Sequence, residues 1–443
     1  MFANLIYLFA LLLVSPLVAY RMIRYGRYRR GSREKLFGLS KNAALSLSNG
    51  KRCVWLHAVS VGEVNLAKGI VGRLRSRYPD DTIVISSSTD TGYDLAIQHF
   101  GADKVFFCPL DFSWAVSRTI QNLNPKLLLL AELELWPNLI RIAKNHDCPV
   151  MVFNARLSEK SASGYHRFGP FTRRTFARLS WVGCQNEHNA ERFRRCGTVA
   201  NRITITGSIK FDDAPTSRET MEVRSRKEWA NIDPWHRIWV VGSTQPGEEK
   251  MALDVYQTLR HEHTELRLIL VPRHPERFDA VAKLVESSGL NVRRRSAAKI
   301  SHEKDWNTDT VILVDTIGEL RHWWGVSQIA TVGGSFADRG GQNMLEPAGY
   351  GSAVSFGPDT RNFKEIANQL VVNDAAVRVA DQAELTQFVR RCLTNIPAAE
   401  ELGMNAQRLI HSHQGASSKT IEAIAAELDQ GGETKIEQTK KCA

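Results

Sequence analysis

His57-Ala58-Val59-Ser60-Val61-Gly62-Glu63 follows the apolar run Cys53-Val54-Trp55-Leu56 and precedes apolar residues at helical spacing, Val64, Ala67, Ile70, Val71 and Leu74. The pattern reads as strand, tight loop, helix. A glutamate at such a joint lies beside exposed backbone N–H groups, at the strand end where open α/β sheets bind ligands. Glu63 is therefore a candidate catalytic base. Ser60-x-x-Glu63 is equally a capping box, in which the carboxylate satisfies a backbone donor.

Working outward, 443 residues suffice for two or three domains with cores of their own. The chain carries 58 Lys+Arg against 47 Asp+Glu, a net charge of +11. Arg21, Arg24, Arg27, Arg29, Arg30, Arg33 and Lys35, with Glu34 the one acid, put +6 of this in residues 1–35. This basic block follows residues 2–20, which are nearly all apolar. A 19-residue helix is about 28 Å long, close to a hydrocarbon core of about 30 Å. The segment lacks a positive n-region and a small-residue cleavage site, so it reads as a signal anchor with the bulk of the chain cytoplasmic. Asn4, Ser15 and Pro16 fit the alternative of a helix lying in the interface. A basic block beside an apolar segment favours anionic headgroups over nucleic acid. Seven scattered cysteines, without a CxxC pair, argue for a reducing compartment and against a zinc site or disulfide framework.

From about residue 50, apolar runs recur at 53–57, 82–88, 104–109, 126–132, 148–153 and 180–184. A second set follows at 237–242, 266–272, 310–315, 328–333 and 353–356. Alternation with helical segments implies parallel sheets covered on both faces. The fold class is α/β, two doubly wound Rossmann-like domains with a cleft between them, preceded by the anchor helix. The expected divisions are the anchor 1–24, a first domain 25–211, a polar linker 212–236, a second domain 237–412, a closing helix 413–430 and a disordered tail 431–443. Asp212-Asp213 is expected to solvate the linker.

Leu127–Leu130 leads into Ala131-Glu132-Leu133-Glu134-Leu135-Trp136-Pro137-Asn138, with Pro137 suited to a first helical turn. Strand alternation would send Glu132 and Glu134 to one face. They could orient a substrate or a cationic partner, or be structural acids paired to N–H groups or to an arginine such as Arg156. Lys210, in Gly207-Ser208-Ile209-Lys210-Phe211, could hold a phosphate or a developing negative charge, or be a solvated lysine. In the second half, Gly242-Ser243-Thr244 and Val271-Pro272-Arg273 end strands. Gly333-Gly334-Ser335 leads towards Asn343-Met344-Leu345-Glu346, where glycines allow close backbone approach and a helix can point N–H groups at an anion. Together these suggest nucleotide binding, with Ser243 among its contacts. No Walker lysine follows the glycines. His261-x-His263 and His411-x-His413 do not share a helix face, so no metal site is expected.

On these residues the chain resembles the 3-deoxy-D-manno-octulosonic acid (Kdo) transferases. The stretches that carry the likeness are His57–Glu63, ELELWPNLI at 132–140, NARLSEKS at 154–161, GSIKFD at 207–212, GSTQPGEE at 242–249, VPRHPERF at 271–278, DTIGEL at 315–320, Gly333–Pro347 and Phe356–Phe363. The resemblance implies a metal-independent, inverting GT-B glycosyltransferase at the inner membrane. Kdo would pass from CMP-Kdo, the donor substrate, to the glucosamine 6-hydroxyl of a lipid A precursor, with no cofactor. It implies Glu63 as general base and Glu132 and Lys210 as transition-state supports. Pro272, Arg273, Ile317, Gly318, Glu319, Asn343, Met344, Leu345 and Glu346 correspond to CMP contacts. Departures are Met344 in place of a small residue or proline, Gln245 for histidine, Leu133 for threonine, and Trp323-Trp324 for an aliphatic-tyrosine pair.

Two other readings share some features. A GT-B enzyme using another nucleotide sugar, or an epimerase, would have the same glycine-rich loops without needing Ser60-x-x-Glu63 and ELELWPN together. A membrane-anchored nucleotide-binding protein without catalysis would not need Glu63 at all. A nucleic-acid partner is disfavoured, since the basic excess sits beside the anchor.

Overall fold

The computed structural model describes residues 29–297 and 306–441, with side chains to Gln430, and seven positions ahead of Arg29: Asn4, Tyr7, Leu8, Ser15, Pro16, Tyr20 and Arg24. The chain forms two compact units, Met1–Asp212 with Gln414–Ala443, and Asp213–His413.

The first unit holds seven parallel strands: β1 (Cys53–His57), β2 (Thr82–Ser87), β3 (Val105–Phe107), β4 (Leu127–Ala131), β5 (Val150–Ala155), β6 (Trp181–Cys184) and β7 (Ile203–Ile205). Their order is β3-β2-β1-β4-β5-β6-β7, so the winding reverses between β1 and β4. Alternate residues face opposite sides: Trp55, Leu128, Leu130 and Val152 pack on one face, Val54, Leu56, Leu129 and Phe153 on the other. Both faces are covered, which is why these strands are continuous apolar runs instead of alternating ones.

The second unit repeats the plan with β8 (Arg237–Thr244), β9 (Leu266–Pro272), β10 (Asn291–Arg294), β11 (Thr310–Leu313), β12 (Ile329–Val332), β13 (Ala353–Phe356) and β14 (Val377–Arg378). The order β10-β11-β9-β8-β12-β13-β14 reverses between β8 and β12. Strands β7, β10 and β14 are additions to the sequence-expected set. Each is at a sheet edge, and none carries an apolar run.

Residues 213–236, expected as a linker, are folded into this second unit. They contain a helix, Met221–Ala230, with Val223 and Ala230 buried. The Arg218 guanidinium ahead of it donates to Tyr350 O at 2.7 Å, Gly325 O at 3.2 Å and Ser352 Oγ at 3.2 Å. Asp212, expected to solvate a linker, instead accepts from the backbone N–H groups of Gly415 (2.8 Å), Ala416 (3.3 Å) and Ser417 (2.5 Å). It caps the helix Ala416–Lys441, whose Ala416, Ile421 and Ile424 share the apolar cluster of Val54 and Leu56. This helix continues past Gly431, where a disordered tail was expected.

The apolar segment 2–20 lies largely outside the described residues. Among those described, no helix is long and apolar enough to cross a membrane. Two residues of the segment bond to the body of the first unit. Asn4 donates to Ser113 Oγ (2.7 Å) and accepts from Ser113 N and Asn138 Nδ2 (both 3.1 Å). The Tyr7 hydroxyl donates to Asp111 at 3.0 Å.

The Asp212 cap yields a stability prediction. Asp212→Ala leaves three helix N-terminal donors without their acceptor and should cost about 1–2 kcal/mol. A denaturant titration of purified protein measures it; an unchanged midpoint would mean that water replaces the carboxylate at no loss.

Candidate active site

Both reversal points carry residues singled out from the sequence. In the first unit, β1 ends at His57 and the helix Val61–Arg77 begins four residues later, with Ser60 as N-cap. The N-cap bond is formed, with the glutamate's backbone partner shifted by one residue: Ser60 Oγ accepts from Glu63 N at 3.4 Å and donates to Glu63 Oε1 at 2.8 Å, while Val59 N, just before the N-cap, donates to Oε2 at 2.8 Å. Each carboxylate oxygen thus accepts one bond and retains a lone pair, so capping does not use up the group. Burial pushes the Glu63 carboxyl above its ordinary value, against the pull of the Val59 and Ser60 bonds. His57 contributes no base: it is fully buried, its Nδ1 lies 2.9 Å from Ser86 Oγ, and burial brings its pKa down to about 4.

Next to β1, strand β4 ends at Ala131, and Glu132 turns left-handed at φ 51°. The strand alternation expected to place Glu132 and Glu134 on one face therefore stops before them. Glu132 instead meets Lys210, whose Nζ is 3.7 Å from Oε1, and Asn154 Nδ2 at 3.4 Å. Glu134 accepts from Trp136 Nε1 at 2.9 Å. Burial, followed by the charges of Glu63 and Glu132, pushes Glu134 up from 4.5 to about 7. The first unit thus gathers Glu63, Glu132, Glu134 and Lys210 at its reversal point, with one cation among three carboxylates.

In the second unit, β8 ends in a bulge: Gly242 pairs with Val271 and Thr244 with Pro272, leaving Ser243 between them at φ 57°. Arg273 N donates to Thr244 O at 3.1 Å, which holds the Pro272–Arg273 peptide beside Ser243. The Gly333–Ser335 loop after β12 comes so close that a Cβ on Gly333 would lie 2.6 Å from Glu248 Oε2 and 2.8 Å from Ser243 O. Its amides are turned onto a buried carboxylate. Gly334 N (2.7 Å), Ser335 N (3.1 Å) and Phe336 N (3.1 Å) all donate to the buried Glu248, as does Gln245 N (2.8 Å). Leu345 N, in the first turn of the five-residue helix that follows, is taken by Asn343 Oδ1 at 3.1 Å.

Arg273 and Arg321 are the cations at hand, since both charges act on Glu346, whose carboxyl burial pushes up and Asn343 Nδ2 contacts at 3.3 Å. Met344 and Leu345 are buried, so only their backbone faces outward chemistry. Ile317 stands 80% exposed beside Gly318, which is left-handed at φ 83°. The Glu319 carboxylate, in contrast, is committed to Arg295 (3.0 Å), Arg226 (3.4 Å) and Trp323 Nε1 (3.3 Å). Burial works to raise it, but these cations prevail and hold it below its ordinary range. Sequence reading missed Asn154, Glu248 and Arg321. Asn154 and Glu248 stand in the quoted stretches NARLSEKS and GSTQPGEE, but nothing local marks them as clamps.

The profile of the family described as 3-Deoxy-D-manno-octulosonic-acid transferase (kdotransferase) matches residues 24–213. A 3-deoxy-D-manno-octulosonic acid transferase of Haemophilus influenzae is 33% identical over 95% of this chain and 97% of its own. The chain belongs to the Kdo transferase family. It is a glycosyltransferase. A second family member, from Bordetella pertussis, is 32% identical over 95% of this chain and 98% of its own. Among solved structures, UDP-GlcNAc 2-epimerase from Neisseria meningitidis bound to UDP-GlcNAc superposes with TM-score 0.51 at 10% identity, over 86% of this chain and all of that one. That likeness is one of fold, the two-sheet parallel GT-B plan. The C-terminal CMP-Kdo binding domain of WaaA from Acinetobacter baumannii is 28% identical over 43% of this chain and 97% of its own, with TM-score 0.39.

Glu134 provides a pH test of this family member's carboxylate cluster. Its folded-state pKa of about 7 lies above its ordinary 4.5. The fold therefore binds an extra proton between those values, and Glu134 weighs against the fold increasingly as pH rises through that window. Glu134→Gln should raise the Tm most above pH 7, with the gain fading as pH falls towards 4.5. A Tm difference that does not change with pH would contradict a buried, raised carboxyl.

Proposed function

We propose that this glycosyltransferase moves Kdo from CMP-Kdo to the glucosamine 6-hydroxyl of a lipid A precursor, with inversion and without a metal. The observation that carries the reading is the gathering of Glu63, Glu132 and Lys210 at the β1/β4 reversal. Glu63 takes the proton from the acceptor hydroxyl, whose oxygen attacks the anomeric carbon as the bond to the CMP phosphate breaks. Its raised pKa makes it a better base than a surface glutamate, though still far below an alcohol, so proton transfer accompanies attack instead of preceding it. Lys210, held by Glu132, supplies positive charge for the Kdo carboxylate or the departing phosphate.

The nucleotide falls to the second unit. Pro272 and Arg273, with the Ile317–Gly318 backbone and Asn343–Glu346, are the proposed CMP contacts, and Ser243 lies beside them. Arg273 is exposed and can neutralise the single CMP phosphate, while Ile317 offers an apolar surface to the base. For Glu319 the proposed contact is through backbone, because its carboxylate is already paired.

We also propose that the protein works at the cytoplasmic face of the inner membrane, where a lipid acceptor resides. The interface-lying reading of residues 2–20 is favoured over a single-pass anchor. A helix from Asn4 to Tyr20 would span about 24 Å. A spanning helix with cytoplasmic catalytic units would leave Asn4 and Tyr7 across the bilayer, yet both bond to the body of the first unit. Part of the basic block is likewise engaged by protein: Arg30 pairs with Asp94 at 2.7 Å and Lys35 lies 4.2 Å from the Phe107 ring centre.

Two measurements test these readings. Transfer from CMP-Kdo, generated in situ, to a lipid A precursor should fall by about 10³-fold or more in Glu63→Gln, loss of a base together with its charge, while CMP binding persists; wild-type turnover would remove the general-base assignment. A cysteine introduced by Ala3→Cys should react with an impermeant maleimide in inverted vesicles and not in intact spheroplasts. Labelling from the outer side alone would restore the spanning anchor.

A further inference from the structure

We propose that Asn154 is a positioning residue that sets the separation of the Glu132 carboxylate and the Lys210 ammonium. The proposal rests on the reading that these two groups support the transferred sugar or its leaving phosphate.

Asn154 lies in β5, two residues short of the NARLSEKS arginine, where the ladder with β6 slips. Val152 pairs with Val182 and Ala155 with Cys184, so Phe153 and Asn154 together oppose Gly183. In this bulge Asn154 takes φ 53°, a left-handed conformation that asparagine accepts better than other residues with a Cβ. It is fully buried. The bulge turns the side chain so that the two ends of its amide reach different elements. Oδ1 accepts from Ile209 N at 3.1 Å, and Nδ2 donates to Glu132 Oε1 at 3.4 Å. The partners settle which end is which, since the carboxylate can only accept and the backbone N–H can only donate. Its own carbonyl accepts from Gln185 Nε2 at 3.0 Å, which fastens the bulge from the β6 side.

Ile209 is the residue before Lys210, in the short turn Ile209–Phe211. One carboxamide therefore joins the left-handed turn that aims Glu132 to the turn that carries Lys210. The 3.7 Å Lys210–Glu132 contact is direct, but lysine has four rotatable bonds and half-exposed surroundings, and cannot by itself fix its distance to the carboxylate. Other side chains fail in separable ways. Aspartate keeps the backbone preference and the Ile209 bond but turns a second carboxylate on Glu132. Glycine keeps the left-handed backbone and removes both bonds. The charged groups at this end of the sheet include Glu63, Glu132, Glu134 and Lys210, with Arg156 directly after β5 and Asp111 after β3, where it accepts from Asn138 N and Leu139 N.

The test compares Asn154→Gly, Asn154→Asp, Glu132→Gln and the double Asn154→Gly/Glu132→Gln in the full-length protein, reading kcat, KM for CMP-Kdo, the pH profile and CMP affinity. Asn154→Gly relieves backbone strain, which guards against simple misfolding. It should lower kcat about 10–100-fold with CMP affinity unchanged. Added to Glu132→Gln, it should cost less than about twofold more, because a residue acting through Glu132 has nothing left to position. Asn154→Asp should move the acid limb of the kcat profile to higher pH, since two adjacent carboxylates hold a shared proton longer. Independent, multiplying losses in the double variant, or an unmoved acid limb in Asn154→Asp, would overturn the positioning role and leave the transferase reading standing. Full turnover in Glu132→Gln alone would instead remove the assignment on which the role depends.

Discussion

Parallel strands all leave their sheet by the same edge, so every β–α turn of a parallel sheet collects along one side. Where the winding reverses, two neighbouring strands send their connections to opposite faces and leave room between them. Both units of this chain are built on that constraint, with reversals at β1/β4 and β8/β12. It explains why residues 69 or more positions apart, such as Glu63, Glu132 and Lys210, meet without any of them being drawn there by local sequence. Backbone distortion also occurs at these places. Glu132, Asn154 and Ser243 are left-handed residues with a Cβ, all at or just past strand ends. Such conformations persist only where the surrounding ladder over-determines them, and here each re-aims a side chain or peptide at a reversal point.

The two glutamates that open the helices after β1 and β8 show how similar positions diverge. Glu63 accepts one bond on each oxygen, from its own turn. Glu248 accepts two on each, three of the four from the glycine-rich loop after β12. A carboxylate with four donors is a structural clamp; one with two donors and a burial-raised pKa can still take a proton. The difference arises from what the neighbouring strand delivers. In the first unit β4 brings another carboxylate towards Glu63, and in the second β12 brings three backbone amides to Glu248.

This is also the physical limit on what the sequence reveals. Central strands were legible because burial on both faces demands apolar runs. Strands β7, β10 and β14 were not, because they are only partly buried and Asn291–Arg294 needs no apolar run to pair with β11; β3, also at a sheet edge, is buried throughout and was legible. The helix boundaries around Glu63 and Pro137 were legible from capping chemistry. Asp212 was misread because its partners, the amides of Gly415 to Ser417, lie more than 200 positions away. The glycine-rich loop was recognised, but the occupation of its amides by Glu248 depends on a contact 86 to 88 residues distant. Family resemblance brought the candidate groups together where spacing alone left Glu63 open between cap and base.

The Glu63 question turns on which effect wins. A helix N-terminus stabilises the ionised carboxylate and lowers its basicity, which by itself makes a weak partner for an alcohol. Burial acts in the opposite sense and prevails, and the charge of Glu132 adds to it. Lys210 is held at Glu132 and not at Glu63, so the base keeps its raised affinity for a proton while the cation remains in the site. Exchanging these partners would lower the base's pKa and leave Glu132 uncompensated. The separation of base from cation therefore requires that Glu132 turn out of β4 where it does, and the left-handed turn is the means.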